Sequence, residues 1–293
     1  MPLPFTHEHV VEWIPQISAF FIILALGLGG GLLPIKISKS NNASRRLSFL
    51  NAFTGGLFLA AGLESFVDAV EEFEHIHFLG SIGLGHAPWA MIFALLAVII
   101  IAVAETCFVD VHDDTLLIQH DDGKSELKKS DHTHDHGTSP FILVVLLAVH
   151  SVLEGTAVGS AHGTSFYVIA TAICAHKFFA GLALGTAISN ANYTVCKHFS
   201  LVLVFALATP IGQIIGLSLA SFLEADAAEI TAAIFAGLAA GTFSWVSLCE
   251  ILHPELIKGT IKEKRIKVLL AALGMLSIVV VTFIMHESGG HHH

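Results

Sequence analysis

Apolar residues in this chain gather in unbroken blocks instead of alternating with polar ones. Each block runs for about 20 residues, the length an α-helix needs to cross roughly 30 Å of hydrocarbon. Eight such blocks are present, at roughly 14–34, 47–67, 87–107, 141–161, 166–189, 199–222, 229–252 and 268–286. Strand-type alternation is absent, so the pattern predicts an all-α integral membrane protein of eight transmembrane helices, a single domain over residues 1–293. Composition agrees: 54% of residues are hydrophobic and 13% charged, and the mean hydropathy is +0.75. Those values lie outside the range of a soluble domain.

Charge orients the spans. Of the 14 Lys and Arg residues, 13, from Lys36 and Lys39 to Arg265 and Lys267, fall in the first, third, fifth and seventh connections; the remaining one, Lys177, sits inside a span. The positive-inside rule then places those connections in the cytosol and both termini outside. The N-terminal stretch MPLPFTHEHVVEW has no Lys or Arg, so a cleaved signal peptide is not expected. The outer side collects His7, Glu8 and His9, then Glu71, Glu72, Glu74, His75 and His77, a rim whose summed field attracts cations. The longest connection, 108–139, is expected to be a disordered cytosolic loop rich in Asp and His, and its His132, His134 and His136 are candidate metal contacts. Cys107, Cys174, Cys196 and Cys249 are isolated and indicate neither a disulfide framework nor a zinc knuckle.

The chemistry is concentrated in two spans. His150 lies roughly 14 Å from the cytosolic start of the fourth span, and His176 about 15 Å from the outer start of the fifth. Both therefore sit near the bilayer midplane, approached from opposite sides. An ionisable group at that depth is costly unless paired, and so is read first as a binding or transport site. Glu154 stands one turn from His150 on the same helical face. Imidazole and carboxylate together suit zinc and neighbouring first-row metals, and three such ligands leave a fourth position open. Protons compete with metal for the imidazoles, so binding is expected to weaken as pH falls through the histidine range. Ser151 and Lys177 adjoin the two histidines, and Glu154 is the nearest expected partner for the Lys177 charge. Ser65, Asp68 and Glu64 at the outer end of the second span extend the path.

The two ligand spans share the layout His-x-x-x-(Glu or Ala)-Gly-x-x-x-Gly, with Gly155 and Gly159 in one and Gly181 and Gly185 in the other. These small residues are expected to draw the two helices together beside their histidines. FTGGLFLAAG in the second span echoes IFAGLAAGTF in the seventh. The echo fits an inverted repeat of spans one to three and six to eight about a central site.

These segments, HSVLEGTAVG, HKFFAGLALG, GGLFLAAGLESF, ATPIGQIIG and FAGLAAGTFSWVSLCEIL, resemble those of the ZIP (Zrt/Irt-like) metal transporters. Within that family the HK pair at His176 and Lys177 is similar to the branch containing the animal plasma-membrane members. The resemblance implies an eight-helix inverted-repeat bundle with both termini outside. It also implies metal ligands at His150, Glu154 and His176, import of zinc toward the cytosol, and rigid-body movement of helices one, four, five and six against two, three, seven and eight. Lys177 and Ala180 stand where members with a binuclear centre carry acidic residues, so a single transported ion is expected, with Lys177 paired to Glu154 in its absence. Zinc enters as substrate, with no cofactor. Iron, manganese and cadmium are the alternative cargoes, the plasma membrane is the expected location with an organelle membrane as the alternative, and a homodimer is left open. Besides metal ions and lipid, no nucleic-acid partner is expected. An intramembrane zinc protease would show HExxH, which is absent, and a zinc sensor without transport is the other reading.

Overall fold

The computed structural model describes residues 7–38, 42–76, 80–81, 83, 87–118, 140–161, 163–191, 193–223 and 225–289. They form eight long helices: α1 (His7–Ile37), α2 (Ala43–His75), α3 (Trp89–Ile118), α4 (Pro140–Ser160), α5 (Gly163–Asn190), α6 (Val195–Phe222), α7 (Ala225–Trp245) and α8 (Ile261–Gly289). α7 continues without a break through a π-helical segment, Val246–Leu252, and a short α-helical end, His253–Ile257. Each expected span falls on one of these helices, and all eight contain a stretch long and apolar enough to cross a membrane. The chain is thus a multi-pass membrane protein. Several helices outrun the apolar blocks that announced them. α2 spans 33 residues because its polar ends remain helical beyond the hydrocarbon-length core. α3 reaches Ile118, so residues 108–118 of the expected loop are helical, and the remainder, 119–139 with His132, His134 and His136, lies outside the described residues.

The helices pack as two groups. The most extensive contact joins α4 to α6, followed by α1 to α5, and α1 also packs on α6. In the other group α2 packs on α8 and α7, and α7 on α3. Exchanging α1 with α6, α2 with α7, α3 with α8 and α4 with α5 maps this pattern onto itself: α4·α6 becomes α5·α1, α2·α8 becomes α7·α3, and the contacts linking the groups, α4·α7 and α5·α2, also exchange. An odd-numbered helix is matched with an even-numbered one each time, so the two halves run in opposite directions through the membrane. That is the inverted arrangement suggested by the echo between the second and seventh spans.

Glycine makes the tight pairs possible. In lipid there is little hydrophobic drive between helices, and small residues allow the close approach that replaces it. A Cβ on Gly155 would fall onto the Thr209 carbonyl oxygen, and one on Gly216 onto that of Thr156, which fixes the α4–α6 seam. Gly185 faces the Gly31 carbonyl in the same way between α5 and α1. Here the expectation from sequence is corrected. The glycines of α4 and α5 pair with α6 and α1, not with each other, because they lie off the helix edges that bear the ligands. Gly185→Ala should destabilise the protein by about 1–3 kcal/mol through overpacking. Gly29→Ala, with no neighbouring atom within 4 Å of the added Cβ, should be neutral or slightly stabilising. Thermal midpoints in detergent test this, and equal shifts for the two variants would sink it.

Candidate metal site

α4 and α5 run past each other on their ligand-bearing edges. Helical spacing puts Glu154 above His150, and α5 brings His176 to the same level from the opposite direction. Glu154 Oε1 lies 2.9 Å from His150 Nε2 and 2.8 Å from His176 Nε2. All three side chains are buried, and their ligand atoms lie within 4.8 Å of one another. Among the described residues this is the group of His, Cys, Asp and Glu side chains placed to share a metal ion.

The protonation of His150 can be read from its surroundings. Its Nδ1 lies 3.2 Å from the Ala239 carbonyl oxygen and 2.9 Å from Thr242 Oγ1, both on α7. A carbonyl oxygen only accepts, so Nδ1 carries the proton. Thr242 Oγ1 gives its own proton to the Ala239 carbonyl at 2.7 Å, leaving a lone pair for the imidazole N–H. Nε2 of His150 then presents a lone pair toward Glu154. Both this atom and His176 Nε2 are buried, and among the described residues neither meets a hydrogen-bonding group other than the Glu154 carboxylate. A carboxylate oxygen and the His150 lone pair this close repel one another unless a positive centre joins them. A proton meets that need in part, and a metal ion meets it fully. Two tetrahedral zinc ligands at about 2.0 Å stand about 3.3 Å apart, so seating an ion widens each of the two gaps to the carboxylate by about half an ångström or less.

Aromatic rings from α2 and α7 close one side. The Phe243 ring lies 3.6 Å from that of His150 and 5.1 Å from that of His176, and Phe58 backs it at 5.0 Å. Both phenylalanines are fully buried, and such a wall excludes water and strengthens electrostatics at the site.

Lys177 departs from expectation. Its ammonium donates to Ser151 Oγ at 2.8 Å and Thr209 Oγ1 at 2.7 Å, and lies 3.9 Å from the centre of the Phe205 ring. It forms no ion pair with Glu154 among the described residues, because the long stem carries the charge to the α4–α6 side and two hydroxyls satisfy it there. Ser151 and Lys177 therefore stand beside the metal ligands and bond each other. Glu64 turns away as well, accepting from Thr282 Oγ1 on α8. Ser65 is half-buried on the face of α2 that carries Phe58, and Asp68 is exposed one turn beyond. The sequence reasoning missed Thr242, Ala239 and Phe243. A threonine and a phenylalanine in an apolar span have no spacing signal that ties them to a histidine 92 or 93 positions away.

The family model described as ZIP zinc transporter matches residues 14–140 and 109–282. Among curated proteins, zinc transporter ZIP3 of Bos taurus is 26% identical over 94% of this chain and 98% of its own length. Fe(2+) transport protein 1 of Arabidopsis thaliana is 26% identical over 90% of this chain and 84% of its own. Protein zntD of Dictyostelium discoideum is 33% identical over 48% of this chain and 21% of its own.

Proposed function

The chain belongs to the ZIP zinc transporter family, and from that premise we propose that it carries zinc from the outer face to the cytosol through a single-ion site formed by His150, Glu154 and His176. The observation that carries this reading is the convergence of three buried ligand atoms, two of them imidazole nitrogens that meet only the Glu154 carboxylate, on one point between α4 and α5. The basic residues crowding one set of connections support an orientation with both termini outside, and the inward direction rests on the import that the family resemblance implies. The ion exchanges its waters for the three ligands, the fourth position stays open for water, and the two helix groups shift to expose the site on the other side. Lys177 supports a single ion, since its fixed charge occupies the side of the site where a second cation would need carboxylates. Iron is a second cargo: imidazole and carboxylate accept it, and one relative is named an Fe(2+) transport protein.

Zinc-65 uptake into proteoliposomes holding the purified protein tests the proposal. Wild type should show saturable uptake, and His176→Ala should lower uptake at micromolar zinc by more than about a hundredfold, beyond the 10- to 100-fold that loss of an outer-shell partner costs. Wild-type uptake by the variant would place the path elsewhere.

A further inference from the structure

The proposed ligands stand on α4 and α5, in one helix group, yet the hydrogen bond that sets the protonation of His150 comes from α7, in the other. We propose that Thr242 is a positioning residue for the metal site: its hydroxyl, with the Ala239 carbonyl, holds His150 in the metal-binding tautomer while α4 lies against α7, and releases it when the groups shift. This rests on the site reading above and extends it to the control of affinity.

The physical argument starts from the buried hydroxyl. Thr242 Oγ1 spends its proton on the carbonyl of Ala239, at i−3 in its own helix, so what it offers His150 is a lone pair. It can therefore stabilise only the ring whose Nδ1 is protonated, the form that leaves Nε2 free for a metal. Phe243, the next residue of α7, lies against the same imidazole and limits its rotation. A displacement of α4 along α7 by two residue rises, about 3 Å, would stretch the 2.9 Å contact to about 4 Å, beyond hydrogen-bond range. The imidazole is then free to carry its proton on Nε2, where the Glu154 carboxylate accepts it. That bond takes the place of the metal at both ligands. The partner of the ligand's far nitrogen, which ordinarily tunes a metal site, thus lies across the boundary between the moving groups and couples their position to affinity.

The test compares Thr242→Val, which keeps the shape and removes the lone pair, with Thr242→Ser, which keeps the hydroxyl. Zinc affinity is read by equilibrium dialysis of the purified detergent-solubilised protein, and uptake kinetics in proteoliposomes, with His176→Ala alongside. Thr242→Val should bind zinc about tenfold more weakly, at the lower end of the outer-shell range because the Ala239 carbonyl remains. Thr242→Ser should lie within about twofold of wild type, the hydroxyl being retained. KM for uptake should rise in Thr242→Val with Vmax kept or raised, since the releasing arrangement already lacks this bond. Wild-type affinity in Thr242→Val would overturn the proposal. So would equal weakening by Val and Ser, which would mark a packing effect, or a Vmax that falls with the affinity. If His176→Ala itself binds zinc like wild type, the site reading fails and not merely the role of Thr242.

Discussion

Glu154→Gln is expected to abolish zinc binding and uptake while leaving the metal-free protein at least as heat-stable as wild type. The two effects have opposite signs because the site is arranged for a cation and not for its own cohesion. The amide has the volume of the carboxylate but no charge, and its oxygen is a poor zinc ligand. The affinity loss should therefore exceed the 10- to 100-fold typical of outer-shell changes. Without metal, the amide N–H groups can donate to His150 Nε2 and His176 Nε2, which meet only the carboxylate in the native arrangement. Each such bond contributes about 1 kcal/mol. Zinc-65 dialysis and thermal midpoints in detergent with chelator give the two readings. A variant that keeps micromolar zinc affinity would remove Glu154 from the site, and one that loses several degrees of stability without metal would show that the carboxylate is instead a structural partner of the histidines.

The parts of this arrangement that sequence made legible are those set by local geometry. Spans could be found because roughly 20 apolar residues are needed to cross a bilayer. The pairing of His150 with Glu154 follows from helical periodicity, and the level of His176 from counting residue rises inward from each membrane face. What sequence hid depends on tertiary choice. Gly155 and Gly185 announced tight packing, but which helix each would meet was decided by the face it occupies, and both seams turned out to bind neighbours other than the ligand helices. Lys177 was expected on Glu154 because opposite charges attract. The stem instead reaches Ser151 and Thr209, and Thr209 is identifiable only once α6 is known to lie against α4. The contribution of Thr242 was hidden for the same reason, as its helix joins the site through a contact between the two groups. The inverted repeat, legible only as a short echo of small residues, is clear in the packing because the most extensive contacts of one half have counterparts in the other.

Lys177→Met should tighten zinc binding by about a hundredfold and slow turnover. The ammonium is fully buried, and its partners are two hydroxyls and the face of Phe205, all neutral groups, so its charge is not cancelled by a carboxylate in contact. At an effective dielectric of about 20, a unit charge and a divalent ion repel by about 4 kcal/mol when separated by on the order of 8 Å. Part of this is already relieved by local relaxation, and a gain of about 3 kcal/mol, or a hundredfold, is what Met should recover. The fold should survive, because Ser151 and Thr209 can return their hydroxyls to their own helices' carbonyls, as Thr156 and Ser160 do on α4. Replacing a buried charge by an apolar side chain of similar length is often neutral or stabilising. Tighter binding of the ion at rest deepens the well from which it must leave, so Vmax should fall while KM falls with it. The native lysine on this argument keeps the site weak enough to empty, a role a second cation could otherwise fill. Dialysis and uptake on the same preparation decide the matter: an unchanged affinity in Lys177→Met would mean that the charge is screened from the ion and that the lysine serves only to join α4, α5 and α6.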